Sequence, residues 1–132
     1  MTDFTKVNLR EVEDMAPRFD LSHGLESRFA REPLELEKSG LSYFRIAPDF
    51  RMPFGHRHGE QEEVYLVVSG AARLRVGDET VEMGPFDAVR VAPGAARCLE
   101  GGPAGAEVVA FGAPNTQGRD AEMLPGWWGE GA

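Results

Sequence analysis

The stretch GHRHGEQEEVYLVVSG, from Gly55 to Gly70, joins metal-binding residue types to a run of strand-forming ones. His56 and His58 are one residue apart, and alternate residues of a strand point to the same face, so both imidazoles can converge on one point. The run that ends at Gly70 is rich in β-branched and aromatic residues, which is typical of a central strand. The stretch therefore predicts two strands joined by a short polar turn, with polar side chains facing each other.

The strand period decides which of the two adjacent glutamates can face the histidines. Glu62 and Glu63 must point to opposite faces. If Tyr65 and Val67 line the interior, Glu63 points inward with them and Glu62 points away. Two neutral imidazoles and one carboxylate suit a divalent Fe, Mn, Ni or Zn ion with positions left open for water or substrate. The candidate metal ligands are therefore His56, His58 and Glu63; the alternative is a polar turn bonded to backbone or water.

The rest of the chain predicts more short strands. Residues 72–83 alternate apolar and polar side chains around Gly77-Asp78, which is the pattern of a β-hairpin. Further strands are predicted over 40–48, 87–94 and 106–114, each bounded by glycine or proline. Repeated short strands with tight turns favour an all-β fold, an antiparallel sandwich or barrel.

The N-terminal segment, residues 1–35, is less regular than the central part. It predicts a short strand or helical turn that ends before Pro17. Residues 22–36 predict one short helix followed by a strand. We expect this segment to form an arm of the barrel that occupies residues 36–113.

The C-terminal segment, residues 114–132, is polar but carries two adjacent tryptophans. Each tryptophan can bury a large apolar area, which is unusual for a disordered tail. We expect the segment to pack on the barrel or on a partner subunit through Met123, Leu124, Trp127 and Trp128.

Composition excludes several classes of partner. The 132 residues suffice for one domain, and the net charge of −8 argues against nucleic acids and anionic membranes. No apolar stretch approaches the roughly 20 residues needed to cross a bilayer. The polar N-terminus is unlike a secretory signal, and the single cysteine, Cys98, predicts a small half-buried strand residue rather than a disulfide. These features predict a cytoplasmic protein.

The first motif resembles that of the cupin superfamily: His-x-His, four residues, Glu, six residues, Gly. The matching positions are His56, His58, Glu63 and Gly70, together with Pro53, Gly55 and Tyr65. A second motif over Phe86–Gly101 matches at Asp87, Pro93 and Gly94. Phe86, Ala92 and Gly101 depart from it, and Arg97 stands where a fourth ligand, a histidine, is usual. The resemblance covers about residues 40–112.

The resemblance implies a single jelly-roll-like cupin β-barrel with a metal site inside its mouth, often as a homodimer. Arginine stays protonated and cannot ligate a metal, so two interpretations of Arg97 remain open. In one, three ligands hold the metal and Arg97 binds an anionic substrate, with Tyr65 as a second substrate-binding candidate. In the other, the metal is lost and Arg97 forms an ion pair with Glu63.

Two classes of function follow from these interpretations. The first is a divalent-metal-dependent enzyme, an oxygenase or isomerase, that acts on a small anionic molecule. The second is a non-catalytic cupin that binds a small ligand without metal. Fold alone does not decide between them, and no catalytic residue is assigned.

Overall fold

The computed structural model describes residues 3–129, and it is almost entirely β. The all-β barrel prediction is confirmed. Within these residues there are two short 3₁₀ helices, Leu9–Glu11 and Ala16–Phe19, and eight strands. The strands are β1 (Leu25–Phe29), β2 (Gly40–Ile46), β3 (Phe54–His58), β4 (Glu62–Val76), β5 (Glu79–Met83), β6 (Ala88–Val91), β7 (Arg97–Ala113) and β8 (Ala121–Pro125).

The two longest strands, β4 and β7, form the centre of the sheet. They pair antiparallel, and β4 also pairs with β5 and β6 while β7 also pairs with β2 and β3. Their register shifts between Val67 and Ser69 and again between Gly70 and Ala72. Such bulges bend a strand and let the sheet curl. The second shift requires glycine, because Gly70 has φ +74° and a Cβ there would lie 2.1 Å from the Gly105 carbonyl oxygen.

The interior of the barrel is filled by apolar side chains from alternate strand positions. Tyr65 and Val67 are 2% and 0% exposed, so the face of β4 that they share points inward, which is the condition for Glu63 to point inward with them. Other side chains that are almost fully buried are Ile46, Leu74, Met83, Val91 and Val108.

The strands predicted from the second half of the sequence are present, but one is much longer than expected. The 72–83 hairpin turns at Gly77 and Asp78 as predicted. The strand expected over 106–114 begins already at Arg97, because residues 97–101 continue the ladder with β4. Pairing with a long neighbour therefore keeps the glycine-rich segment extended despite its low intrinsic strand propensity.

The predictions for the N-terminal arm need two corrections. The predicted helical turn that ends before Pro17 is present as Leu9–Glu11, but Pro17 itself lies inside a second 3₁₀ helix that the sequence did not predict, because its fixed φ suits the first turn. Between residues 22 and 36 the strand β1 comes first, and no helix follows within that range. β1 pairs antiparallel with β2, and this pairing overrides the local helical signal.

The C-terminal segment lies along the barrel of its own chain. β8 pairs antiparallel with β3, and the Trp128 indole Nε1 donates a 2.8 Å hydrogen bond to the Met52 carbonyl oxygen. Trp127 packs so closely on Gly55 that a Cβ there would lie 2.7 Å from its ring. Met123 pairs with His56 in the same ladder, but 53% of it is exposed. Residues 1–2 and 130–132, which the predicted arm and tail include, lie outside the described range.

No helix within residues 3–129 is long and apolar enough to cross a bilayer.

Candidate functional site

The two histidines of β3 lie on the same face of the strand. Their ring centroids are 5.0 Å apart, and the ring planes are perpendicular. His58 is buried, whereas 28% of the His56 side chain is exposed. His56 is therefore the histidine nearer to solvent.

Glu63, the second residue of β4, faces both histidines. Its Oε1 lies 3.5 Å from His56 Nε2 and 4.0 Å from His58 Nε2. The Glu62 side chain is 57% exposed, and its Oε2 lies 3.7 Å from Arg90 Nη1. The prediction that Glu63, and not Glu62, points toward the histidines is therefore confirmed.

Glu63 is a buried carboxylate that stays ionised. Burial alone would raise its pKa, but contacts with His56 and Tyr65 and the charge of Arg97 lower the pKa to about 2. The site therefore contains one permanent negative charge that faces two imidazoles.

Arg97, the first residue of β7, lies in the floor of the site and is fully buried. It pairs with His56 across the sheet, which directs its side chain to the histidine face. Its Nη2 donates to Glu63 Oε1 at 3.1 Å, its Nε to the Tyr65 hydroxyl at 3.2 Å, and its Nη1 to the Ala95 carbonyl oxygen at 2.8 Å. The ion pair with Glu63 is thus formed, and all three guanidinium nitrogens have an acceptor.

Tyr65 also belongs to the floor of the site. It is 2% exposed, and burial, followed by the charge of Glu63, raises the pKa of its hydroxyl well above the ordinary value. The hydroxyl therefore stays protonated. The substrate-binding roles of Tyr65 and Arg97 remain predictions, since both side chains are enclosed in this structure.

Asp120 is a site residue that sequence reasoning missed. It directly precedes β8, and its Oδ1 lies 3.0 Å from His58 Nδ1. Its Oδ2 accepts the backbone N–H groups of Glu60 and Gln61 at 3.0 and 2.9 Å, and Thr116 Oγ1 donates to Oδ1 at 2.6 Å. No local sequence signal marked it, because no strand was predicted in the C-terminal segment that contains β8.

The surroundings of Asp120 favour its charged form. Burial raises its pKa, but hydrogen bonds from Thr116, His58 and the amides of Gln61 and Glu60 outweigh burial and hold the pKa well below the usual range. A second carboxylate charge therefore lies directly behind His58.

The residues fit a divalent cation in their chemistry and spacing. His56, His58 and Glu63 each offer one ligand atom, and these atoms all lie within 4.8 Å of one another. Ligand atoms about 2.1 Å from a common ion lie within about 4.2 Å of one another. Small side-chain shifts would therefore bring all three atoms within bonding distance of one ion. The contact of Arg97 with Glu63 does not exclude a metal, because an ionised carboxylate has about four lone-pair positions.

The open side of the site is bounded by β8. Met123 pairs with His56 in the β3–β8 ladder, and directly opposed residues of an antiparallel pair share a face. The exposed Met123 side chain therefore lies beside the more exposed histidine. A ligand that approaches His56 from solvent would meet this methionine.

Solved structures with the same fold include proteins of different activity. A cupin protein from Bacteroides fragilis has a TM-score of 0.71 at 18% identity, with 88% of each chain covered. A Streptomyces Pac13 variant solved with uridine has a TM-score of 0.72 at 17% identity, with 95% of this chain and 93% of that chain covered. Oxalate decarboxylase from Bacillus subtilis has a TM-score of 0.77 at 17% identity, with 97% of this chain but 34% of that chain covered.

The comparison with sequence families agrees with the structural one. No curated protein matches the sequence. The family model of the Cupin domain matches residues 42–104, a range that contains the two histidines, Glu63 and Arg97. Together with the barrel and its cupin neighbours, this match supports a cupin-domain protein.

Proposed function

We propose that this cupin binds one divalent metal ion through His56, His58 and Glu63 and acts as an enzyme on a small anionic molecule. The observation that carries the proposal is the convergence of three ligand atoms from β3 and β4 within 4.8 Å. When bound, such an ion supplies a Lewis acid with open positions for an oxygen ligand of the substrate. An oxygenase and an isomerase both remain compatible with this set.

The charges around the site support an anionic substrate. Glu63 contributes one negative charge and Asp120 a second, whereas Arg97 contributes a fixed positive charge next to Glu63. A divalent ion would leave the site with an excess of positive charge, which an anion would offset. The oxalate decarboxylase with this fold acts, by its name, on a small anion.

Within this proposal the buried residues hold the site and the exposed ones admit the substrate. Arg97 acts through its charge and by fixing the Glu63 carboxylate, because its guanidinium nitrogens already have acceptors. Tyr65 supports Arg97 through its hydroxyl oxygen. The substrate approaches from the side of His56 and Met123.

The proposal is tested by calorimetric titration of Mn(II), Fe(II), Ni(II) and Zn(II) into protein purified without chelators or a nickel column. Wild type should bind one equivalent of at least one ion, and His58→Gln should lose that binding. His23→Gln is the matched control, because His23 lies outside the ligand cluster and should leave the affinity unchanged. Equal binding by wild type and His58→Gln would contradict the proposed ligand set.

A second candidate function is the binding of a small molecule without metal. The observation that favours it is the 3.1 Å contact between Arg97 Nη2 and Glu63 Oε1, which already neutralises the carboxylate. The Pac13 variant with this fold was solved with uridine, and Pac13 itself is described as a nucleoside dehydratase. A protein that binds none of the four ions but is stabilised against heat by uridine or another small metabolite would favour this function.

A further inference from the structure

We infer that Asp120 is a positioning residue of the site: it fixes the tautomer and ring orientation of His58, so that the C-terminal segment completes a centre otherwise built from β3, β4 and β7. The effect that this inference expects on metal affinity rests on the proposed function. Its structural part, the state of the His58 ring, can be measured without any metal.

The first step concerns the two nitrogens of His58. Nδ1 lies 3.0 Å from Asp120 Oδ1, and Nε2 lies 4.0 Å from Glu63 Oε1. A neutral imidazole carries one N–H, and a carboxylate can only accept it. The proton therefore belongs on Nδ1, which leaves the Nε2 lone pair directed to the centre. This is the arrangement in which a carboxylate behind a ligating histidine orients the ring and raises its basicity.

The second step concerns what holds Asp120 in place. Its Oδ2 accepts two backbone N–H groups from the turn between β3 and β4, at Glu60 and Gln61. Thr116 donates to Oδ1, and only 11% of the Asp120 side chain is exposed. The neighbouring backbone is fixed too, because Gly59 N–H donates to the Asp120 carbonyl oxygen at 3.0 Å. The carboxylate is thus locked between the turn and the histidine.

The third step is the difference between the two histidines. Within residues 3–129, the carboxylate in contact with His56 is Glu63, one of the proposed ligands. His58 has a second carboxylate behind it, on the side away from the centre. The sheet places both histidine backbones, but Asp120 additionally fixes the ring of His58. Residue 120 should therefore affect His58 more than His56.

The experiment compares wild type, Asp120→Asn and a matched control, Glu122→Gln. Glu122 lies two residues away in β8 and loses the same charge, but its side chain is 61% exposed and faces Arg57. Two-bond ¹H–¹⁵N spectra of the metal-free proteins at mildly alkaline pH report the tautomer of each histidine ring. Calorimetric titration with Zn(II) reports the affinity, and urea denaturation of the metal-free proteins reports folding.

Wild type and Glu122→Gln should hold His58 as the Nδ1–H tautomer, and Asp120→Asn should show a mixture of tautomers. Zn(II) affinity should fall by about 10- to 100-fold in Asp120→Asn and stay within a factor of about two in Glu122→Gln. An Nε2–H tautomer in wild type, or the same Zn(II) affinity in a folded Asp120→Asn, would overturn the inference. If wild type binds no metal, the proposed function fails, and the tautomer of His58 alone decides the role of Asp120.

Discussion

The site has a closed side and an open side, and the two differ in what they contribute. The closed side consists of Arg97, Tyr65 and His58, which are 0%, 2% and 9% exposed. The open side consists of His56, whose side chain is 28% exposed, and Met123, which is 53% exposed. The charged Arg97 and the polar groups around it are thus buried away from water, and electrostatic interactions are stronger in such a low-dielectric environment. The groups that a ligand would contact stay accessible. Changes on the closed side should therefore affect folding and metal binding, and changes on the open side should affect access.

The largest effect is expected for Arg97→Ala on the closed side. The substitution removes the guanidinium partner of the buried Glu63 carboxylate and leaves a cavity. The loss of one partner from a buried ion pair costs about 3–5 kcal/mol of unfolding free energy. Urea denaturation of wild type and variant measures the difference.

The control for this prediction is Arg45→Ala. The Arg45 side chain is 68% exposed, and its Nη1 lies 3.7 Å from Glu26 Oε2. Its removal should change the unfolding free energy by less than about 0.5 kcal/mol. Equal losses of unfolding free energy in the two variants would mean that the buried Arg97–Glu63 pair stabilises the fold no more than an exposed pair does.

The pH dependence of folding should show the next largest effect, through Glu63. Burial opposes its charge, yet His56, Tyr65 and Arg97 lower its pKa from 4.5 to about 2. Between pH 4.5 and pH 2 the unfolded chain therefore binds more protons than the folded chain. The ionised group stabilises the metal-free fold above pH 4.5, and this stability is lost as the pH falls through about 2. The contribution is about 3 kcal/mol at 1.36 kcal/mol for each pKa unit.

Glu63→Gln removes this titration and tests its assignment. The unfolding free energy of wild type should fall more steeply than that of Glu63→Gln between pH 4.5 and pH 2. Other lowered carboxylates, such as Glu107 and Asp120, titrate in both proteins and do not affect the difference. Parallel curves of unfolding free energy against pH for the two proteins would show that the contacts of Glu63 on the closed side do not lower its pKa.

Arg97→His should tighten metal binding by a smaller amount. The substitution removes a positive charge beside the cation and offers an imidazole at the position where the family usually has its fourth ligand. Zn(II) affinity should rise by at least about tenfold, or about 1.4 kcal/mol, in calorimetric titrations at neutral pH. If wild type already binds Zn(II) as tightly as the variant, Arg97 does not oppose the metal.

How far the sequence could predict the site depends on whether a contact follows from local periodicity or from tertiary pairing. The positions of His56, His58 and Glu63 follow from the strand period and a short turn, which are local properties. The Arg97–Glu63 pair was one of two alternatives, because the sequence equally allowed Arg97 to bind an anionic substrate beside the metal. Asp120 could not be found, because its contact with His58 joins residues 62 positions apart through the pairing of β8 with β3. Local periodicity thus predicts the ligands, whereas the support behind them depends on tertiary pairing.

The smallest effect is expected at Met123 on the open side, and it is chemical rather than energetic. A methionine thioether is oxidised to the sulfoxide when the reagent can reach it. Met123 should therefore react with dilute hydrogen peroxide several times faster than Met83, which is 2% exposed on β5. Peptide mass spectrometry over a time course measures both rates, and the unfolding free energy should change by less than about 0.5 kcal/mol when Met123 alone is oxidised. Equal protection of the two methionines in the folded protein would mean that another molecule, such as the second subunit of the predicted homodimer, covers Met123. The open side would then be an interface, and access to His56 would require another route.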